Sequence, residues 1–190
     1  MPVVPALAAP TRVHVARCSS SKSSPVCKYL RQLNAFPPVP DMPAASEPGI
    51  EEVKALAHGI SKLNAHAKHL VLLVDAFLAD GELARTVEGQ RQMAAFAADA
   101  SRTVKQHEDT LMKFQRQVMS GMDWCRLNGA TTGDDTPCTL LQAALMRNRQ
   151  LMMDGVTVEK SGDLTNTPGK PGLLQLGQLL GEFAERQRPS

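Results

Sequence analysis

The chain has 190 residues, 43% hydrophobic and 21% charged, the balance of a globular protein with room for one domain and appendages. Its formal charge of +2 excludes an overall nucleic-acid footprint, because the five basic residues of an acid-free segment, 1–40, leave −3 for the remainder. Nine Met against five Phe, one Trp and one Tyr point to helices packed through Leu, Ala, Val and Met, and no apolar run approaches the roughly 20 residues of a membrane span.

Residues 1–40 read as a separate arm. They carry Arg12, Arg17, Lys22, Lys28 and Arg31 and neither Asp nor Glu. That composition fits an organellar transit peptide, with the mitochondrion as the expected destination, or an arm that stays on the protein. Within it, Ser24–Pro25 is a cap and first-turn proline. Val26, Tyr29, Leu30 and Leu33 then share one face of a short helix, with Lys28 and Arg31 on another side. Five prolines between positions 36 and 49 exclude a helix, and residues 41–49 are read as the linker to the body.

The body, 50–154, is expected to be a helical hairpin plus a third helix. Glu51 and Glu52 suit a helix start. Behind them Val53, Leu56, Ile60, Leu63, Ala67, Leu70, Val74 and Phe77 are spaced alternately three and four apart, a heptad seam. Val71, Leu72 and Leu73 widen the apolar face towards the end, so this helix is buried on more than one side. Asp80–Gly81 breaks the register, which predicts either an antiparallel reversal or a kink.

A second helix is predicted over Glu82–Met122. Its seam is Met93, Ala97, Ala100, Val104, His107, Leu111, Phe114 and Val118. At about 1.5 Å per residue it is about 60 Å long against about 45 Å for the first, so it must overhang or kink. The far end carries a stripe of Met112, Met119 and Met122, followed by Trp124. Residues 125–135 read as a loop. Thr136–Pro137 then opens a third helix, expected to cover part of the methionine stripe through Leu141, Ala144, Leu145, Leu151 and Met152. The connection 155–170 is irregular, with room for a small hairpin at Ser161–Gly162. A last amphipathic helix within 171–190 places Leu173, Leu176, Leu180 and Phe183 on one stripe. The predicted fold class is therefore all-α: a long antiparallel, coiled-coil-like hairpin with two shorter C-terminal helices, and a disordered or short-helical arm.

Chemistry is harder to find. Cys18, Cys27, Cys125 and Cys138 form neither a CxxC pair nor a zinc-type cluster. Cys125 and Cys138 flank one loop and would close it as a disulfide under oxidising conditions; without a visible secretory signal, free thiols are the expectation. His66 and His69 are three apart on a helix but have no third ligand at helical spacing, so they are expected to face solvent. Residues 57–63 set His58 near Lys62, but the lysine stands one position late and the glycine order is wrong for a phosphotransfer histidine. His107 occupies a seam position, where a polar residue commonly fixes register at a cost in stability. There is neither a nucleophile elbow nor a phosphate-binding glycine loop.

No cofactor, metal or catalytic residue is assigned. The expected function is that of a non-catalytic helical subunit of a larger protein complex, homo- or hetero-oligomeric. Its partner-binding residues are taken as Met112, Met119, Met122, Trp124, Leu173, Leu176, Leu180 and Phe183, with neither nucleic acid nor membrane as partner. The alternative is a self-contained four-helix adaptor or signalling domain that binds a peptide or small ligand.

Overall fold

A computed structural model describes residues 26–44, 47–80, 87–128, 136–167 and 169–186. These residues form α1 (Val26–Asn34), α2 (Ile50–Ala79), α3 (Val87–Lys113), α4 (Gln115–Asn128), α5 (Pro137–Met152), β1 (Val156–Val158), β2 (Leu164–Asn166) and α6 (Leu173–Arg186). The fold is an all-α bundle with one small antiparallel strand pair.

All eight residues of the first seam, from Val53 to Phe77, are buried. Full burial of a Leu, Ile, Val or Phe side chain contributes about 1.5–3 kcal/mol, so this stripe alone anchors the bundle. The second helix is broken rather than continuous. Phe114 N–H donates to Leu111 O at 3.2 Å, one residue short of the α-helical bond, and α3 passes into α4 at this tightened turn. Its seam holds: Ala97, Ala100, Val104 and His107 are buried, and Leu111, Phe114 and Val118 are half-buried. Helix α4 runs on through Asn128, so the expected loop starts later than position 125. Gly81, residues 82–86, and Asp134 and Asp135 lie outside the described residues.

The break after Asp80 is a reversal. Phe77 stacks on Phe96 with ring centroids 4.1 Å apart, His66 meets His107, and Glu52 meets Gln117. Positions falling along α2 thus meet positions rising along α3 and α4. The two arms do not make the closest pairs, however. Helix α2 packs most extensively on α5, and α3 on α6.

Helix α5 starts where the sequence placed it. Thr139 N–H donates to Thr136 Oγ1 at 3.2 Å, and Pro137 occupies the first turn. It runs parallel to α2: Val53 and Leu56 share a lower core with Cys138 and Leu141, and Ala67 and Leu70 share an upper core with Leu151 and Met152. The hairpin expected at Ser161–Gly162 is present, pairing Val156 with Asn166 and Val158 with Leu164. It turns the chain into α6, which runs antiparallel to α3. Gly177 is required there, since a Cβ would stand 2.7 Å from Val104 Cγ1.

Helix α1 and the stretch after it pack against the helices that follow. Val26, Cys27, Tyr29, Leu30 and Leu33 are buried in the upper core with α2, α3 and α6. The apolar face of α1 is thus turned into the bundle. The first turn of α1 is pinned to the end of α2: the Tyr29 hydroxyl donates to Asp80 Oδ2 at 2.6 Å, and Lys28 Nζ pairs with Asp80 at 3.2 Å. The proline-rich stretch that follows is extended as expected, yet it is fastened down as a strap. Met42 is buried, and Gly59 admits Pro43 where a Cβ would stand 2.9 Å from its Cδ.

Candidate functional site

The eight residues expected to meet a partner fall into two groups. Met112 and Met119 are 64% and 59% exposed on the outer face of α3 and α4. Met122 and Trp124 are half-buried against the lower core, where α5 covers part of the methionine stripe as expected. Leu173, Leu176 and Leu180 are buried in the upper core and Phe183 is half-buried against it. That stripe packs within the chain's own core. The close approach at Gly177 lets α6 dock on the chain's own α3.

The concave feature with the strongest chemical character lies between α2 and α5, a groove of about 580 Å³. Its α2 wall is a second stripe beside the heptad seam: Lys54, His58, Ser61, Ala65 and Lys68, spaced 4, 3, 4, 3. The α5 wall presents Leu140 and Arg147 on its lip, with Ala144 and Leu151 buried at the base. Among the described residues that line the groove, none is an acid. Lys54 pairs with Glu51 at 3.1 Å, an exposed i,i+3 contact of small energetic weight. Lys68 and Arg147 have no carboxylate partner among the described residues.

Beneath the groove a buried amide pair fixes the register of α5 on α2. Asn64 Nδ2 donates to Ala144 O and Asn148 Nδ2 donates to Asn64 Oδ1, both at 2.9 Å. At the lower end Cys125 and Cys138 form a disulfide that ties α4 to the start of α5, with Cα atoms 5.8 Å apart. Cys27 is disulfide-bonded as well. The expectation of free thiols is therefore corrected for every described cysteine; for Cys125 and Cys138 the packing of α4 on α5 brings the two side chains within bonding reach.

A second polar cluster lies inside the hairpin. His66 Nδ1 and His107 Nε2 are 2.8 Å apart, and His66 Nε2 is 2.8 Å from Pro37 O. With both rings neutral, the carbonyl, which only accepts, places the His66 proton on Nε2 and makes its Nδ1 the acceptor. His107 must then donate from Nε2, which leaves its Nδ1 as a bare lone pair. That atom is buried and unpartnered among the described residues. Burial, and secondarily the neighbouring His66, push the His107 pKa down from 6.5 to about 3. The seam assignment of His107 holds. His66 departs from its expectation of solvent exposure, since it is buried while His69 is exposed, and the two do not converge. Among the described residues no group of three or more His, Cys, Asp or Glu is placed to hold a metal ion, and no helix is long and apolar enough to cross a membrane.

The cationic stripe was readable as a spacing in the sequence, but its meaning was not. Lys54, His58 and Lys68 look like an ordinary solvated face until α5 is placed beside them. The chain matches no protein-family model, and neither the curated proteins nor the solved structures provide a match.

Proposed function

We propose that this chain is a self-contained, non-catalytic helical binding module that takes a partner in the groove between α2 and α5. The observation that carries the reading is closure of the core. An assembly subunit would leave its seams for partner helices to complete. Here α1, α5 and α6 of the same chain cover them, and every residue of the first seam is buried. That favours the adaptor or signalling domain over the obligate subunit. The Cys125–Cys138 pair and the bonded Cys27 support work in an oxidising compartment, where disulfides persist, over the mitochondrial placement drawn from the composition of residues 1–40.

The test is the solution state of the full chain produced under oxidising conditions. The expected result is a monomer by sedimentation with one cooperative unfolding transition. A chain that aggregates or assembles on its own at micromolar concentration would return the subunit reading to first place. The exposed Met112 and Met119 are the surface that reading would then use.

A further inference from the structure

We infer that the groove between α2 and α5 is a docking site for an acidic amphipathic helix of a partner protein. This rests on the reading of the chain as a binding module and names its ligand. The argument starts with charge. Lys54, Lys68 and Arg147 line the groove with His58 between them, and among the described residues no carboxylate joins them in the lining. The folded part of the chain otherwise mixes both signs, with pairs such as Arg102–Asp99, Lys105–Asp109 and Arg126–Asp123 on neighbouring helices. An acid-free strip in that setting is complementary to an anionic ligand.

The spacing decides what kind of anion. Lys54 and Lys68 are fourteen positions apart on one straight face, about 21 Å at 1.5 Å per residue. A single phosphate or carboxylate reaches one of these cations, not both. A helix of about 15 residues spans the whole strip. The walls suit such a guest. Both are stripes at helical spacing, as in a bundle, and small residues at Ala57, Ala65 and Ala144 let a backbone approach closely. Leu140 is 49% exposed on the lip and offers an apolar anchor. The hairpin turn bounds one end, where Lys68 Nζ stands 2.9 Å from the Cβ that Gly162 lacks. The fitting partner therefore carries small and apolar residues on one stripe and Glu or Asp on both flanks, meeting Lys54 and Lys68 on one side and Arg147 on the other. The Glu51–Lys54 pair is exposed and gives way at little cost.

The experiment uses the full chain and a synthetic amphipathic helical peptide of about 15 residues with Glu flanks. A sequence-matched version with Lys flanks and a single-stranded DNA of similar length serve as comparisons. Binding is read by fluorescence anisotropy at about 50 and about 300 mM salt. The acidic peptide should bind at least about tenfold more tightly than its Lys version, and weaken as salt rises. The triple variant Lys54→Ser, Lys68→Ser, Arg147→Ser should lose at least about tenfold in affinity. A variant of the exposed Arg102 and Lys105 on α3 should lose little. All these side chains are exposed or half-exposed, so thermal midpoints verify that each variant folds. Equal binding of both peptides, equal loss in both variants, or preference for the DNA would each overturn the groove assignment. Any of those results from a chain that sediments as a monomer leaves the binding-module reading standing, whereas self-association would overturn that reading first.

Discussion

His66 and His107 share one hydrogen bond, Nδ1 to Nε2 at 2.8 Å, across the two arms of the hairpin. Because His66 already donates to Pro37 O, the pair has a direction, and it ends on the buried lone pair of His107 Nδ1. The strap, α2 and α3 are thereby joined through one neutral chain of donors and acceptors.

That chain makes stability depend on pH. His107 is held neutral in the folded protein down to about pH 3, while in the unfolded chain it takes up a proton near 6.5. Between those values the unfolded state binds more protons, so stability is full above the unfolded value and falls as pH is lowered. The expected loss from pH 7 to pH 5 is roughly 2 kcal/mol for this one group. Urea midpoints at the two pH values measure it. His107→Gln, which still offers an N–H to His66, should flatten the dependence; an equally steep profile in that variant would assign it to other groups.

The disulfide between Cys125 and Cys138 closes a short loop, with a sequence separation of 13. Loops of that size are expected to gain about 3 kcal/mol from the cross-link, chiefly by restricting the unfolded chain. Cys125→Ala with Cys138→Ala should lower the denaturation midpoint accordingly. Both side chains are buried in the lower core, so alanine also removes some packing. Reduction breaks the Cys27 bond as well, so the shift on reducing the unsubstituted chain is compared with the shift on reducing the double variant; equal shifts would show that the Cys125–Cys138 cross-link contributes nothing.

Leu176 and Met119 were grouped together as partner-facing, and the structure separates them. Leu176 is 5% exposed, so Leu176→Ala should cost about 2–5 kcal/mol of stability. Met119→Ala, on an exposed site, should stay within about 0.5 kcal/mol. Thermal unfolding of the two variants measures both, and similar small losses in each would mean that α6 is not docked on α3.

The glycine at 177 offers a sharper probe of the same contact. In an open helix Gly→Ala gains about 1 kcal/mol. At Gly177 the new methyl meets Val104 at 2.7 Å, and an overpacking cost of about 1–3 kcal/mol should offset that gain and leave a net loss of up to about 2 kcal/mol. Gly49, the cap of α2, has extended backbone and nothing within 4 Å of its Cβ direction, and no side chain caps the helix there. Gly49→Ser should therefore be neutral or slightly stabilising. Opposite signs for the two substitutions are the expected reading in a chemical denaturation series.

How far the sequence reached can be traced residue by residue. The seam from Val53 to Phe77, the cap at Thr136, the hairpin at Ser161–Gly162 and the seam position of His107 were all legible. Each is a local matter of helical period, capping chemistry or turn preference, and such signals survive in a single chain of letters. What the letters did not decide is which face meets which. The stripe of Leu173, Leu176 and Leu180 is equally apolar whether a partner or α3 covers it, and only the course of the chain through the hairpin puts α3 there. Val26, Tyr29, Leu30 and Leu33 form an amphipathic face legible in the sequence, and only packing shows that it lies in the core. The cations of Lys54, Lys68 and Arg147 lie up to ninety-three positions apart in sequence, so their meeting in one groove is a product of the parallel docking of α5 on α2. Periodicity thus determined the helices and their buried stripes, because it is written within each segment. The tertiary structure alone decided their pairing and the site between them, because long-range packing is set by the whole chain at once.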